Sequence, residues 1–427
     1  MSFRDSKIVR GLKKMLRPLY HRIKERQATK GLKKNFRVTR GEKIKAVFIC
    51  QAQPVFNKMR PVIDALLQDD RFEVALFLVD DPKDKNPESN VFIEYARNNQ
   101  VKVYEYEEGL LKKLHADYVV YPRPYDAYLP HDIQAKSAVA YARLCYIPYG
   151  YSTMEMGEVS LNPVFTRNIG LFFADMDYSH EYFTRNHARN LKSGLQKSFN
   201  LGYPYLEYIC KNSEGCNGSS AFLNLPESGL KLLWTPRWTT DDKMGGSNFI
   251  RYIDKIFAQY MDNPAFSFVF RPHPYAFDNY VQLGLLTQEQ KEEYLLRFEK
   301  STNSVYDKAD DYFDTLKDAD VAIMDVSSIV AERVVTGKPI IFCHNEGGEI
   351  LNDKMKEMLR YLYNAYSFEE IEKFVADIKS GNDPMKEERE KYCTTFKESM
   401  RGTCERCKEA FIADYNERCA ENKGEKK

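Results

Sequence analysis

Short apolar runs recur along this chain, and helical patterns fill the spaces between them. The run Lys45-Ala46-Val47-Phe48-Ile49-Cys50 has apolar residues in succession, not in alternation with polar ones. That is the pattern of a strand buried on both faces of a parallel sheet. A helical stretch from Pro54 to Gln68 follows, and Phe72 to Val79 reads as the next strand. Further strands fit Val101 to Tyr104, Tyr118 to Tyr121, Arg143 to Ile147 and Phe172 to Ala174. Strands separated by helices cannot pair as hairpins. They build the doubly wound α/β arrangement.

The series is interrupted at residues 211–220, Lys-Asn-Ser-Glu-Gly-Cys-Asn-Gly-Ser-Ser, which read as a linker or exposed loop. A second α/β series starts at Leu232-Leu233-Trp234-Thr235. It continues through Ser267 to Phe270, Ala319 to Met324 and Pro339 to Phe342, with helices predicted at 248–261 and 287–299. A chain of 427 residues exceeds one ordinary core, since domains run to roughly 100–200 residues. The expected fold is therefore two Rossmann-like domains, 43–210 and 221–384. They are flanked by a basic segment, 1–42, and a charged helical tail, 385–427. The tail either crosses back to brace the first domain or ends in solvent.

Net charge is +1, but residues 1–45 hold 16 Lys/Arg against Asp5, Glu25 and Glu42. In this segment Phe3, Ile8, Val9, Leu12, Leu16, Leu19 and Ile23 recur at helical spacing between basic residues. A basic amphipathic helix of this kind suits an anionic membrane surface, where each basic residue contributes ~1 kcal/mol near the headgroups. The competing reading packs the helix on the protein's own body. Nucleic acid is not expected as a partner, because no aromatic-basic interleaving accompanies the charge. No run approaches the ~18 apolar residues of a membrane span, and no apolar leader core is present. The expected location is the cytoplasm, peripheral at the inner face of the cell membrane, with residues 1–30 as the contact.

Nine cysteines are scattered without a framework, as in a reducing compartment. Cys404 and Cys407 form a CxxC, but no second pair stands at zinc spacing. They are expected on a solvated helix. No metal and no cofactor are expected.

Three strand ends carry the candidate chemistry. In the first, a strand ends at Met324, Asp325, Ser327 and Ser328 form the turn, and a helix runs to about Thr336, with Gly337 as its left-handed stop. Exposed N–H groups at a helix start bind phosphate, at the sheet edge where such folds hold ligands. Glu332, one turn on, is placed to accept from ribose hydroxyls. In the second, Phe268-Val269-Phe270 runs into Arg271-Pro272-His273-Pro274. The prolines rigidify the turn, Arg offers a fork to phosphate, and His can donate or act as general acid. In the third, Leu233-Trp234-Thr235-Pro236-Arg237-Trp238 brings Thr235 and Arg237 past another strand.

With these residues in view, the chain resembles the CDP-glycerol glycerophosphotransferase family of teichoic acid polymerases and primases, over about residues 140–345. Arg271-Pro272-His273-Pro274 is similar to the family's Arg-Pro-His-Pro turn. Asp320 to Ser328 is similar to its Asp-x-x-x-x-Asp-Tyr-Ser-Ser segment, with Val326 in the Tyr place, and Gly337-Lys338-Pro339-Ile340 continues it. Leu233 to Trp238 is similar to Leu-Tyr-Ala-Pro-Thr-Trp, with Arg237 where Thr is usual. Gly202-Tyr203-Pro204 is similar to the family's Gly-x-Pro at the domain junction. The resemblance implies a GT-B-like fold without a metal. It also implies donor pyrophosphate contacts from Arg271, His273, Ser327 and Ser328, and a donor role for Glu332, where the family commonly has Asp.

One stretch departs from the family. Its Trp-His-Gly-Thr-Pro, with His as base, reads Pro148-Tyr149-Gly150-Tyr151-Ser152 here. Tyr, with a pKa near ~10, is a poor base at neutral pH. Glu155, His131 and Asp126 are the alternatives. The candidate catalytic set is His273, Tyr149 and Glu155. The candidate substrate contacts are Arg271, Ser327, Ser328, Asp325, Glu332, Thr235, Arg237 and Gly150. The expected activity is transfer of glycerol phosphate or a related polyol phosphate from a CDP-activated donor to a hydroxyl of a polymer or lipid-linked acceptor. The alternatives are a nucleotide-sugar glycosyltransferase of capsule or lipopolysaccharide synthesis and a non-catalytic nucleotide-binding homologue.

Overall fold

A computed structural model of the chain describes residues 7–80, 91–211, 219–227, 229–241 and 245–424. Residues 1–6 of the basic segment and 212–218 of the expected linker lie outside them. The chain forms two compact units. The first comprises Met1–Tyr149, Gly157–Leu201 and Cys404–Lys427, and the second Gly150–Met156 and Gly202–Thr403.

The first unit holds strands β1 (Ile44–Cys50), β2 (Phe72–Leu78), β3 (Lys102–Glu105), β4 (Tyr118–Tyr121), β5 (Arg143–Tyr146), β6 (Leu171–Ala174) and β7 (Lys197–Asn200). They pair in the order β3-β2-β1-β4-β5-β6-β7, all parallel. Helices cover both faces, so the central strands are apolar throughout. Phe48, Val120 and Cys145 lie in one core and Val47, Val119 and Leu144 in the other.

The second unit holds β8 (Leu230–Thr235), β9 (Phe266–Phe270), β10 (Ser304–Tyr306), β11 (Val321–Met324), β12 (Ile340–Cys343) and β13 (Tyr363–Ala365), in the parallel order β10-β9-β8-β11-β12-β13. The order reverses between β8 and β11, which makes their carboxyl ends the topological switch point where such sheets bind ligands. Gly337 takes φ +69, as its place after the helix Ser328–Val334 requires.

The basic segment is a helix over Lys7–Lys34. Its later half packs on the first unit. Ala28 and Leu32 are buried, and Gly31 approaches Val139 so closely that a Cβ would lie 2.9 Å from its Cγ1. His21 Nδ1 lies 3.4 Å from Arg167, and the Glu25 carboxylate 3.7 Å from it. At about 100° per residue, His21, Glu25, Ala28 and Leu32 share one side. Leu19 and Ile23 fall on the opposite side and are 56% and 45% exposed. Among the described residues, no helix is long and apolar enough to cross a membrane.

The tail divides at Thr403. The helix Lys386–Met400 belongs to the second unit, and Thr403–Gly424 returns almost entirely to the first. Cys404 and Cys407 do not sit on a solvated face. They are buried, and Cys407 joins Phe411, Ile412 and Tyr415 in the core against β1, β4 and β6. The charged look of this helix conceals a buried cluster. Asp414 accepts from Arg143 Nη2 at 2.8 Å and from the Tyr118 hydroxyl at 2.8 Å, with Lys197 Nζ 3.1 Å and Arg418 3.9 Å away.

Candidate functional site

At the switch point of the second unit, Asp325 follows β11 directly. Its carboxylate is buried and accepts from Arg237 N at 2.8 Å, Ser247 Oγ at 2.9 Å, Asn248 N at 3.1 Å and Asn248 Nδ2 at 3.1 Å. Burial raises its pKa, against the pull of these hydrogen bonds. Asp325, expected among the substrate contacts, is buried and fastens the polypeptide that follows β8. Asn248, unnoticed in the sequence, completes the clasp by donating to Cys343 O at 3.1 Å.

The fastened segment sets Arg237 in place. Its Nη1 donates to Val326 O at 2.8 Å and touches Met154 Sδ at 3.8 Å. Gly245 crosses over this guanidinium with φ +88. A Cβ there would lie 2.6 Å from Met154 Sδ and 2.9 Å from Arg237 Nη1, so only glycine fits. Thr235, the last residue of β8, buries a hydroxyl that has no hydrogen-bond partner among the described residues.

Ser327 occupies the N-cap of the helix Ser328–Val334 in extended conformation, yet its hydroxyl makes no capping bond. Both serines are half-buried. Gly150 lies against Ser328, where an added Cβ would come within 3.3 Å of the Ser328 Cβ. Gly150 arrives on the segment Gly150–Met156, which is stitched to residues 350–352. Glu155 N donates to Ile350 O at 2.9 Å, Asn352 N to Thr153 O at 3.2 Å and Asn352 Nδ2 to Ser152 O at 2.8 Å. Glu155 itself is exposed.

His273 is solvent-exposed, with its ring centroid 5.9 Å from that of Trp238 and 5.3 Å from that of Tyr275. Its Nδ1 accepts from Tyr275 N at 3.2 Å. This contact assigns the proton to Nε2 in the neutral ring and opposes protonation at Nδ1. Burial, then the nearby guanidiniums of Arg237 and Arg271, hold its pKa below the ordinary histidine range. His273 is thus a neutral hydrogen-bond donor through Nε2. It is poorly suited to be a base, because that nitrogen already carries the proton.

Two further expected contacts are paired or buried within the protein. The Arg271 fork is engaged within the protein, with Nη1 on Asp307 at 2.8 Å, Nη2 on Ala309 O at 2.7 Å and the guanidinium over the Tyr312 ring at 4.2 Å. It braces the segment after β10 and does not present both arms to phosphate. Glu332 is fully buried and accepts from the Tyr312 hydroxyl at 2.9 Å, so it does not reach ribose hydroxyls. Asp307 and Tyr312 were missed because the short β10 that places them was missed.

Tyr149 ends β5's loop in the first unit and is 37% exposed. Of the other base candidates there, Asp126 accepts from Ala135 N at 2.7 Å and burial raises its pKa. His131 is exposed in a short 3-10 turn. The groups brought together in the second unit are therefore Ser327, Ser328, Gly150, Arg237 and His273. They offer hydroxyls, a guanidinium, a neutral imidazole donor and the N–H groups of a helix start, chemistry suited to an anionic phosphate.

The family model for CDP-Glycerol:Poly(glycerophosphate) glycerophosphotransferase matches residues 166–399. No curated relative matches the chain. Among solved structures, a UDP-N-acetylglucosamine 2-epimerase aligns at TM-score 0.58 and 13% identity, covering 88% of this chain and 97% of that one. The S. aureus MnaA-UDP co-structure aligns at 0.55 and 11%, covering 85% and 94%. The wall teichoic acid polymerase TagF, soaked with CDPG, aligns at 0.54 and 12%, covering 97% and 99%. At such identities these likenesses establish the fold, two parallel-sheet α/β domains of GT-B type.

Proposed function

The chain belongs to the CDP-glycerol:poly(glycerophosphate) glycerophosphotransferase family, whose model spans more than half of it, and on that premise we propose that it transfers glycerol phosphate, or a related polyol phosphate, from a CDP-activated donor to a hydroxyl of a cell-surface polymer or lipid-linked acceptor. The observation that carries this reading is the cluster of phosphate-binding groups at the β8/β11 switch point.

The acceptor oxygen forms a bond to the donor's β-phosphorus, and the bond from that phosphorus to the bridging oxygen breaks. CMP leaves with the electron pair, and the acceptor's proton passes to a base. Ser327, Ser328 and the helix N–H groups hold the diphosphate. His273 donates from Nε2, and Arg237 offsets the charge that grows on the departing phosphate. Asp325 and Asn248 position Arg237, and Arg271 braces the β10 segment. Tyr149 stands where the family places its base, and Glu155 and His131 are the exposed alternatives.

The acceptor class fits a surface-bound enzyme. Leu19 and Ile23 point away from the body, with Arg22, Arg26 and Lys30 exposed around them. This is the composition of a helix that rests on an anionic membrane.

Donor release decides the reading. The protein should form CMP from CDP-glycerol or CDP-ribitol in an acceptor-dependent way. UDP or GDP release from nucleotide sugars, with none from CDP-polyols, would replace it with a glycosyltransferase. Nucleotide binding without turnover of any donor would leave a binding protein.

A further inference from the structure

The loop after β12 begins with a histidine whose two ring nitrogens both face acceptors. His344 N donates to Ala365 O at 2.8 Å, which starts the loop alongside β13. His344 Nε2 lies 2.9 Å from Asn364 Oδ1, and Asn364 Nδ2 donates to Leu359 O at 2.8 Å and to Leu362 O at 3.0 Å. Those carbonyls turn the amide oxygen toward the ring, so Nε2 carries a proton. Nδ1 lies 3.3 Å from Glu349 Oε2, and a carboxylate only accepts. Both bonds are made together only by the imidazolium. The Tyr366 ring stacks on His344 at 4.4 Å and 6°, an arrangement that favours a cation.

Glu349 links this charge to the donor side of the sheet. Its side chain is almost fully buried, and its other oxygen accepts from Asn345 N at 2.7 Å and Asn345 Nδ2 at 3.1 Å. Asn345 Nδ2 also donates to Gly245 O. Gly246 packs so closely that a Cβ would lie 2.9 Å from Asn345 Cγ. Gly245 is the residue that crosses over the Arg237 guanidinium. A chain of contacts therefore runs from His344 through Glu349, Asn345 and Gly245 to Arg237, all within the second unit. A buried carboxylate that loses its cation is costly, so deprotonation of His344 loosens the group that orders Asn345.

Burial alone would lower the pKa of His344, but hydrogen bonds to Glu349 and Asn364 and the charges of Glu349 and Glu370 outweigh it and raise the value. The other charges nearby are paired. On the helix Phe249–Tyr260, Arg251 meets Glu346 at 3.2 Å and Lys255 meets Glu369 at 3.8 Å. On the helix Asp353–Leu359, Lys354 meets Glu357 at 3.0 Å and Lys356 meets Asp353 at 3.1 Å. Burial pushes the Cys343 thiol well above its ordinary range, so it stays neutral. The His344 contact is thus intact below the ordinary histidine pKa near ~6.5 and is lost as pH rises through the higher folded value.

Resting on the transferase reading above, we propose that His344 is a positioning residue for the donor site: as an imidazolium it clamps Glu349 and Asn345, which hold Gly245 over Arg237, and the donor is released more readily as the pH rises. CDP-glycerol, a diphosphate diester whose charge is constant from pH 6 to pH 8.5, is the probe. Calorimetry on the full-length protein should show its Kd rising at least about fivefold over this range, the low end of coupling between two sites. His344→Gln should bind weakly at both pH values. Asn345→Ala should also bind weakly at both, while NMR shows its His344 ring still titrating above the ordinary histidine value. A Kd that does not change with pH in the parent, or the same pH dependence in parent and His344→Gln, or parent-like binding in Asn345→Ala, overturns the proposal.

Hydrogen exchange of residues 245–248, corrected for the intrinsic effect of pH, reads the clamp without ligand. If CDP-glycerol binds at neither pH, the donor reading falls and exchange decides the clamp. Faster opening at pH 8.5 in the parent, absent from His344→Gln, supports it. Opening that is unaffected by pH, or equally affected in both proteins, overturns it.

Discussion

The Asp325 carboxylate accepts the backbone N–H of Arg237 at 2.8 Å, joining the ends of the two strands that flank the switch point. The same group holds Ser247 and Asn248, so one buried side chain fixes the segment that carries the Arg237 guanidinium. Asp325→Ala would leave several buried donors unsatisfied. It should destabilise the protein by about 3–5 kcal/mol in urea unfolding. Donor KM should rise with it, because Arg237 is released. Asp325→Asn keeps the volume and part of the acceptor capacity and should fall between. Equal donor KM in all three proteins would remove this positioning role.

His273 is predicted to act by donating from Nε2. Glutamine places an amide donor near that position, and alanine places none. His273→Ala should lower kcat/KM at least about tenfold, or ~1.4 kcal/mol of barrier. His273→Gln should retain clearly more. Because the pKa of His273 is held down, its contribution should be constant from neutral pH upward. It should fade only as acid protonates the ring below the ordinary histidine range. If glutamine is as inactive as alanine, and the rate follows an ionisation near neutrality, His273 is an acid or base instead.

The central strands and the three strand-end turns were readable because their apolar runs are uninterrupted. What the sequence concealed follows a physical pattern. β7, β10 and β13 are short, and all three lie at sheet edges. A strand paired on one side needs less apolar surface, so Lys197-Ser198-Phe199-Asn200 carries no strand signal. Asp325, Arg271 and Glu332 were read as ligand contacts because a charged residue at a strand end resembles one. Whether its partner is a substrate or Asn248, Asp307 or Tyr312 is settled by tertiary contacts. The return of the tail to the first domain stayed one of two open readings, because the charges of Thr403–Gly424 that pair inside the core look like those of a solvated helix.

That buried cluster makes a sharp prediction. Asp414 is fully buried between Arg143 and Arg418, themselves almost fully buried. Asp414→Ala would strand two guanidiniums and the Tyr118 hydroxyl. It should cost about 3–5 kcal/mol of stability by urea denaturation. The groups proposed to bind the donor belong to the second unit, so nucleotide affinity of the folded fraction should stay close to the parent's. A loss under 1 kcal/mol would mean that Asp414 is not the partner of these cations.

Membrane attachment is predicted to depend on Leu19 and Ile23. Both are exposed, so changing them to Gln should leave the melting temperature within about a degree, as surface substitutions do. Burying one such side chain in lipid is worth roughly 1.5–3 kcal/mol. The double variant should therefore lose most of its sedimentation with anionic vesicles of phosphatidylglycerol, more visibly at high salt. A truncation must stop before His21, because Ala28 and Leu32 hold the body together. Unchanged vesicle binding would place the membrane contact elsewhere.

His187 supplies a pH prediction for the first unit. The ring is buried, its Nε2 lies 3.0 Å from the Thr166 hydroxyl, and burial followed by Arg167 lowers its pKa to about 4. Unfolded histidine titrates near 6.5. Between these values the unfolded chain binds a proton that the folded one refuses, so stability is full above pH ~6.5 and declines as the pH falls toward about 4. The loss attributable to this residue is at most about 3–4 kcal/mol, since each pKa unit is worth ~1.4 kcal/mol. His187→Gln retains a donor for Thr166 and cannot titrate. Its urea midpoint should therefore vary less than the parent's between pH 6.5 and 4.5. Parallel pH profiles in the two proteins would assign the acid sensitivity to other groups.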